Sequence, residues 1–445
     1  MITAMLLVAG LAAAQDTNRL TLAVAVDRAL ASYPTVAAAR ARADGAAADV
    51  GAAQAAWLPR LSLDGSLNRF QEPMVVAPLH GFDPANPPLF DQTLIQSGLS
   101  LNWTLFDFGG RTARVRVQRA LAGAAEAAHS GAEQQLMARV VTGYLRVLTA
   151  RDLVAAQDQR LAALSAASAR TQQLMAEGKA ARVDGLRVDA EARRAEADRI
   201  ATAAQLDVAE HELAQLTQLP YQTVRAALLA DVRLGDTSLA IDTSGAVRAT
   251  LVARARQASA ELREAEQRAR AADGTLGVAR AAWFPELRVA GAYVDRGRWA
   301  GDFAAEWQVG VALSYPLFTG GARRSAVRRA AADGRAAAEQ LRAVGLNVEQ
   351  GVDQALAALR QAHARVAALQ SAVEQSAEVA RIERLSLEVG SGTQTDYLAA
   401  EANLLSARAG LIEARHAEIG ARVELARIIG ELSRDWLARI VEPLL

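Results

Sequence analysis

Apolar and polar residues alternate in two regions of the chain, and each region predicts a pair of β-strands. In the first region, Leu61 and Leu63 alternate with Ser62 and Asp64, and the same period returns between residues 99 and 105. A period of two gives a strand one apolar face and one polar face. We predict strands at about 59–70 and 94–106 in the first region, and at about 285–295 and 306–318 in the second.

Most of the remaining pattern is helical, and its apolar residues repeat with a spacing of seven. No proline interrupts residues 112–176, so the spacing predicts one long helix with coiled-coil packing. Adding 212 to the heptad positions again gives apolar residues, which predicts a second long helix. These positions are Val140, Val147, Val154 and Leu161, followed by Val352, Leu359, Val366 and Val373.

The two halves are copies of one unit. The shift of 212 carries Gly178 onto Gly390, where each long helix is expected to end, and Asp184 onto Asp396, where a returning helix is expected to begin. Before the strands the shift is 226, so the first copy has 226 − 212 = 14 extra residues, which we place in a proline-rich loop between its strands. The predicted segments are two repeats at 20–220 and 246–432, a linker or small equatorial lobe at 221–245, and a C-terminal tail at 433–445.

Composition narrows the class of protein. Hydrophobic residues make up 51% of the chain but aromatic residues only 4%, which favours thin, alanine-rich helical layers over a thick core. Basic and acidic residues balance at 49 each, so no net field favours nucleic acid, and the absence of Cys excludes disulfides and a cysteine nucleophile. Residues 1–14 contain an apolar run that ends in three alanines, which is typical of a signal peptide. The alternative is an ordinary buried N-terminal helix.

The strand pairs predict a membrane location. Two distant pairs, each with an apolar face and free edges, cannot form a stable soluble sheet. An apolar face turned towards lipid requires a closed barrel, and four strands are too few to close one, so several copies must share it. Aromatic residues near the strands would then form a girdle at the membrane interface, although a β-sandwich core would also use them. The girdle candidates are Trp57, Trp103, Trp283, Trp307 and Tyr315.

Several short motifs, taken in order, resemble a known family. Residues 29–34 read Ala-Leu-Ala-Ser-Tyr-Pro, and both strand regions end in Leu-Phe followed by Gly-Gly, at 105–110 and 317–321. Glu-Val-Gly at 388–390 is followed by Thr-Asp-Tyr-Leu at 395–398. Over about residues 20–432, the chain is similar to the TolC-like outer-membrane efflux proteins, the outer membrane factors of tripartite efflux and type I secretion systems.

The resemblance implies a mainly α fold with membrane β structure, built from a duplicated helix–β-hairpin–helix repeat. It implies a homotrimer in the cell outer membrane, with a twelve-stranded barrel, four strands per protomer, continued by a long periplasmic α-helical barrel. Its implied function is passive conduction of substrates from an inner-membrane RND, ABC or MFS pump, joined by a periplasmic membrane-fusion (adaptor) protein. It implies contact with outer-membrane lipid, and no nucleic acid, cofactor or metal.

The resemblance also implies that the two helix–helix turns lie at a constricted pore entrance. Asp184 and Asp396 are the candidate constricting residues, because three carboxylates around a narrow axis would favour bound cations. An Asp at the start of a helix is also a capping group, and the two roles are compatible. The adaptor-docking candidates in the same turns are Gly178, Val183, Leu186, Gly390, Thr395 and Leu398.

The chain departs from the family at two positions of the constriction. The second acidic position is Ala399, and the basic latch four residues before Asp396 is Gly392. Closure would therefore have to use other groups. The nearest basic candidates are Arg182, Arg187, Arg381 and Arg384.

The main alternative function is that of a soluble periplasmic coiled-coil adaptor or scaffold protein. Such a protein would share the heptads and the alanine-rich composition, but it leaves the duplicated strands unexplained. Enzyme function is not predicted, because the five His residues are isolated and neither a Walker loop nor a Gly-x-Ser-x-Gly motif occurs.

Overall fold

The structure is a computed structural model that describes residues 19–76, 85, 90–234, 245–301 and 303–443. The predicted signal peptide at 1–14 and part of the proline-rich loop lie outside the described residues. The chain divides into two compact units. The strand unit comprises 41–127 and 264–343; the helical unit comprises the residues up to 40, 128–263 and those from 344 onwards.

Helices form most of the chain. They are α1 (Leu22–Ser32), α2 (Pro34–Ala55), α3 (Gly110–Ala176), α4 (Arg182–Thr217), α5 (Tyr221–Ala226), α6 (Gly245–Ala258), α7 (Ala260–Ala281), α8 (Ala322–Glu388), α9 (Gln394–Ile428) and α10 (Arg434–Ile440). The strands are β1 (Arg19–Leu20), β2 (Arg60–Val75), β3 (Phe90–Phe106), β4 (Leu228–Leu229), β5 (Val232–Leu234), β6 (Glu286–Gly297), β7 (Phe303–Ser314) and β8 (Val441–Pro443).

The helix bounds confirm the internal duplication. Helices α3 and α8 both have 67 residues, and their starts and ends differ by the predicted shift: 322 − 110 = 212 and 388 − 176 = 212. Helices α2 and α7 both have 22 residues and differ by 260 − 34 = 226. At about 1.5 Å per residue, each long helix extends over roughly 100 Å.

The strand unit contains one antiparallel sheet with the order β2-β3-β6-β7. Its register places Leu61 opposite Leu101, Leu99 opposite Tyr293, and Tyr293 opposite Trp307, so the predicted alternating apolar residues of the four strands share one face. The predicted alternation is therefore confirmed. Strand β2 and strand β7 each have a single partner among the described residues, and they form the two edges.

The strand bounds differ from the prediction at several ends. Strands β2 and β3 are longer than predicted, and four of the extra residues of the first copy extend β2, which has 16 residues against 12 in β6. Strand β7 ends at Ser314 instead of 318, so Tyr315 lies outside it. Pro316, which has no N–H to donate to a strand ladder, accounts for the early end.

The helical unit has its core where the heptads meet the short elements. Val140, Val147 and Val352 are fully buried, and Leu359 is nearly so, whereas the later heptad positions are only partly buried. Tyr144, also fully buried, lies in the same core as α1, α4, α5 and α10. The predicted heptad packing is thus confirmed at the first two positions of each long helix, and the last two positions of each are only partly buried.

The segments predicted as a linker or equatorial segment and as a C-terminal tail both contain regular structure. The linker at 221–245 contains α5, β4 and β5, and the C-terminal tail at 433–445 contains α10 and β8. Strand β4 pairs with β1 in parallel, and β5 pairs with β8 in antiparallel fashion. Leu437 and Val441 of the predicted tail are buried in the main core, so the tail is part of the folded unit.

Candidate functional site

The two helix–helix turns have the same backbone geometry. Gly178 and Gly390 both have positive φ, +68° and +78°, which glycine adopts without a steric cost. At each turn the glycine N–H and the next N–H donate to carbonyls of the last helical turn, at Met175 and Leu174 in the first copy and at Leu387 and Ser386 in the second. This bonding pattern ends both long helices.

Asp184 and Asp396 lie at the third position of their helices, and the prediction that they begin the helices was wrong. Helix α4 begins at Arg182 and helix α9 at Gln394. Asp184 Oδ2 accepts from the N–H of Ala181 at 3.3 Å. Asp396 Oδ2 accepts a hydrogen bond from the Thr393 hydroxyl at 2.6 Å, and Thr393 Oγ1 in turn accepts one from the backbone N–H of Asp396 at 3.2 Å. Both carboxylates thus stabilise a helix start.

Arg187 joins the two turns. Its guanidinium Nη1 lies 4.0 Å from Asp184 Oδ1 and donates to the Thr395 hydroxyl of α9 at 3.1 Å. The other three predicted basic candidates do not form such a bridge among the described residues. Arg381 is bound to Glu378 on its own helix, and Arg182 is exposed. Burial raises the pKa of the Tyr397 hydroxyl, and the positive charge of the nearby Arg384 opposes this rise.

The adaptor-docking candidates differ in exposure. Val183, Leu186 and Thr395 are exposed beside the two glycines. Leu398 is only half-buried and lines a cavity with Tyr397, Glu401 and residues of α3 and α4. The apolar surface of these turns therefore consists mainly of Val183, Leu186 and Val389.

The aromatic candidates lie on the exposed surface of the strand unit, and two equivalent arginines contact three of them. Arg111 lies over the Trp57 ring at 4.2 Å, and Arg323, its equivalent under the shift of 212, lies 5.0 Å from the Trp283 ring and 5.6 Å from that of Tyr315. The indole N–H of Trp103 donates to the Trp57 carbonyl at 2.9 Å. Both arginines follow the repeated Gly-Gly motifs closely in the sequence, but the sequence pattern predicted no role for them.

A buried polar cluster in the helical unit was not predicted. Glu210 of α4, only 3% exposed, accepts from Arg151 of α3 at 2.8 and 3.3 Å, and the same guanidinium donates to the carbonyls of Val224, Arg225 and Ala227 at the end of α5. Arg151 therefore ties three helices together. No periodicity marks these residues, because their partners are 59 to 76 positions apart.

His416 is the second unexpected polar residue of the helical unit. Its Nδ1 lies 2.5 Å from Thr149 Oγ1, and that hydroxyl donates its hydrogen to the Leu145 carbonyl, so Nδ1 carries the proton. Burial lowers the pKa of His416 below its ordinary value of 6.5; the nearby Asp231 raises it and Arg415 lowers it further.

We expect this His416 pKa to make the stability of the helical unit depend on pH. The unfolded chain binds a proton more readily than the folded one, so stability is fully present above pH 6.5 and is lost as pH falls towards the folded-state pKa. The slope is at most about 1.4 kcal/mol per pH unit for one site. Thermal unfolding should be measured at pH 7.5 and 5.5. The unfolding temperature should fall less between these two pH values in His416→Gln than in the wild type.

The exposed His211 provides the matched control for this measurement. His211→Gln should retain the wild-type pH difference. Equal pH differences in wild type and His416→Gln would contradict the assignment.

The described residues were searched for metal sites and membrane-spanning helices. No group of three or more His, Asp or Glu side chains in them is arranged to hold a metal ion. Among them, no helix combines the length and the apolarity needed to cross a bilayer.

Comparison with known proteins agrees with the duplicated architecture. The sequence profile described as outer membrane efflux protein matches residues 25–218 and 251–431, one match for each copy. Nodulation protein T of Rhizobium leguminosarum bv. trifolii is 24% identical over 389 residues, which cover 85% of this chain and 79% of that protein.

Solved structures share the fold. The outer membrane protein VceC of Vibrio cholerae superimposes with a TM-score of 0.76 at 20% identity, covering 92% of this chain and 96% of that one. The outer membrane channel CmeC of Campylobacter jejuni gives a TM-score of 0.79 at 16% identity, covering 92% and 85%. The predicted resemblance and fold class are confirmed, and the chain belongs to the outer membrane efflux protein family.

Proposed function

We propose that three copies of this chain form an outer-membrane channel that passively conducts substrates delivered by a periplasmic adaptor and an inner-membrane pump of the RND, ABC or MFS class. The observation that carries the proposal is the four-stranded sheet, with one mainly apolar face and two edges without partners among the described residues. A non-enzymatic transport role agrees with the family.

The apolar face is suited to lipid contact. Leu61, Leu63 and Leu67 of β2 are each at least 60% exposed, and so are Trp307, Val309, Val311 and Leu313 of β7. A patch of this extent on a monomer indicates a surface that is covered in the functional state. The opposite face carries hydrogen-bonded polar groups such as Ser62 with Ser100 and Thr104 with Glu286, which suits a water-filled interior.

The free edges favour a ring of copies. Because the sheet is antiparallel and has four strands, β2 and β7 run in opposite directions. The β7 edge of one copy can therefore pair in antiparallel fashion with the β2 edge of the next, and every copy offers the same two edges. Such a head-to-tail contact forms a closed ring when its rotation closes, and three copies supply twelve strands.

We also propose that the two turns constrict the channel. Asp184 and Asp396 would supply two sets of three carboxylates, and the bond from Arg187 to Thr395 would hold the two turns of each copy together. This bond replaces the basic latch that Gly392 cannot provide. Val183 and Leu186 would offer apolar contacts to the adaptor.

Recording from planar bilayers tests the proposed function. The purified full-length chain should add uniform conductance steps to a bilayer, and extraction of the native protein from membranes should require detergent. Release from membranes by salt alone, without any conductance, would instead favour the periplasmic adaptor or scaffold.

Replacing Asp396 by Asn should weaken block of the channel by a divalent cation. The variant removes three charges from the proposed constriction while an amide of similar shape can still bond Thr393, so the half-blocking Mg²⁺ concentration should rise about tenfold or more. Asp189→Asn is the control, because a spacing of five residues turns Asp189 about 140° away from Asp184. If the half-blocking Mg²⁺ concentration is the same in Asp396→Asn and in the wild type, Asp396 does not line the constriction.

A further inference from the structure

The two junctions between sheet and long helix have different charges. The second junction, residues 315–329, contains four arginines and no carboxylate; the equivalent first junction, residues 103–117, contains three arginines and Asp107. Under the shift of 212, Asp107 corresponds to Thr319. The duplication therefore provides an internal comparison between a junction with an acidic partner and one without.

Asp107 contacts two of the three arginines of the first junction. Its Oδ2 accepts from the backbone N–H of Arg111 at 2.6 Å and from the guanidinium of Arg114 at 3.1 Å, and its Oδ1 lies 3.6 Å from Arg111 Nε. The remaining Arg111 nitrogens donate to the carbonyls of Ala56 and Leu105. The guanidinium groups of Arg111 and Arg114 therefore each have a carboxylate partner, although Arg111 Nε has no hydrogen-bond acceptor among the described residues and Arg116 is exposed.

The second junction lacks these partners. Arg323 donates to the Pro316 carbonyl through Nη2, but its Nε and Nη1 are buried atoms without a hydrogen-bond acceptor among the described residues. Arg324 and Arg328 are exposed and have no ion pair within that part of the chain, and Arg329 is 3.8 Å from Asp333. All four lie in the first eight residues of α8, where the helix dipole is positive and no acidic residue occurs.

The same junction exposes large apolar side chains. In the single chain, Leu317 and Phe318 are 86% and 89% exposed, and Trp283 and Tyr315 flank Arg323 with their rings. Aromatic rings with a polar edge favour the boundary between lipid and water. A ligand that satisfies this surface must combine a negative group for the arginines with hydrocarbon for the apolar side chains.

We propose that the second junction binds the headgroup of an anionic phospholipid, with Arg323, Arg324 and Arg328 facing the phosphate and Leu317 and Phe318 facing the acyl chains. Guanidinium groups bind phosphate oxygens through paired hydrogen bonds, and clusters of arginine beside a membrane surface attract anionic lipid. A free phosphate ion would use the charged groups alone. The proposal rests on the membrane location of the sheet given under the proposed function.

Native mass spectrometry of the detergent-solubilised full-length protein tests the proposal. Phosphatidylglycerol should bind at least fivefold more tightly than phosphatidylcholine. Thr319→Asp restores the carboxylate of the first junction beside Arg323 and should remove most of this preference, as should the double variant Arg324→Gln/Arg328→Gln. Arg335→Gln, an exposed change farther along α8, should leave it intact.

Three outcomes would overturn the lipid site. These are equal binding of both lipids by the wild type, an unchanged preference in Thr319→Asp and in the double variant, and full displacement of phosphatidylglycerol by millimolar inorganic phosphate. Reconstitution into pure phosphatidylcholine vesicles separates this inference from the proposed function. If the protein inserts into these vesicles but shows no preference between the two lipids in the binding measurement, only the lipid site is contradicted. If the protein fails to insert into vesicles of any lipid, the membrane location is contradicted.

Discussion

Arginine at both Val309 and Val311 is expected to abolish stable insertion of this protein into the outer membrane. Both residues lie on the apolar face of edge strand β7 and are about two-thirds exposed, at 64% and 66%. An arginine on the lipid face costs about 2–4 kcal/mol near the middle of the bilayer, so two would lower the inserted fraction by on the order of a thousandfold or more. The measurement is the amount of protein in the outer-membrane fraction and of trimer on a gel without heating.

Gln308→Arg is the matched control for this change. Gln308 directly precedes Val309 in β7, but it lies on the opposite, polar face, paired with Ala292 of β6. An arginine there should face water inside the channel and leave insertion close to that of the wild type. If Gln308→Arg and the valine double variant insert equally well, the apolar face does not contact lipid.

Replacing Arg151 by Met is expected to destabilise the helical unit by about 3–5 kcal/mol, the usual cost of removing one partner of a buried ion pair. The variant leaves the Glu210 carboxylate, 3% exposed, without its guanidinium. It also removes the donor of three carbonyls at the end of α5, including those of Val224 and Ala227. Chemical denaturation followed by circular dichroism should show the loss.

Arg146 provides a control on the same pair of helices. It pairs with Glu212 at 2.9 Å, but both side chains are largely exposed, at 60% and 41%, so Arg146→Met should cost less than about 1 kcal/mol. The double variant Arg151→Met/Glu210→Met should recover most of the lost stability, because it leaves no unpaired buried charge. Equal losses in Arg146→Met and Arg151→Met would show that burial of Glu210 has no energetic consequence.

Much of the candidate site could be predicted from local pattern, and the errors have physical causes. The turns at Gly178 and Gly390 followed from glycine between two periodic segments, and the structure confirms them as helix ends. The helix starts were placed two residues too late because an Asp can stabilise a helix from its third position as well as its first. Arg187 was one of four equal candidates, since only folding brings it to Thr395, 208 residues away.

The predicted C-terminal tail shows the same limit on a larger scale. Residues 434–443 form α10 and β8; α10 packs against α1 and β8 pairs with β5, and both partners are distant in sequence. A helix of only about two turns carries too short a pattern to reveal such contacts, because nothing in the local sequence identifies the partner.

The sequence by itself determined the duplication, the two apolar strand faces and the long heptad helices, because each depends on spacing along the chain. Only the tertiary structure decided the strand order β2-β3-β6-β7, the pairing of Arg151 with Glu210, and the contrast between Asp107 and Thr319 beside their arginines. These depend on which distant residues meet. The local period of the sequence indicates which face of a helix or strand is apolar. The packing of distant segments determines which residues that face and the nearby polar side chains contact.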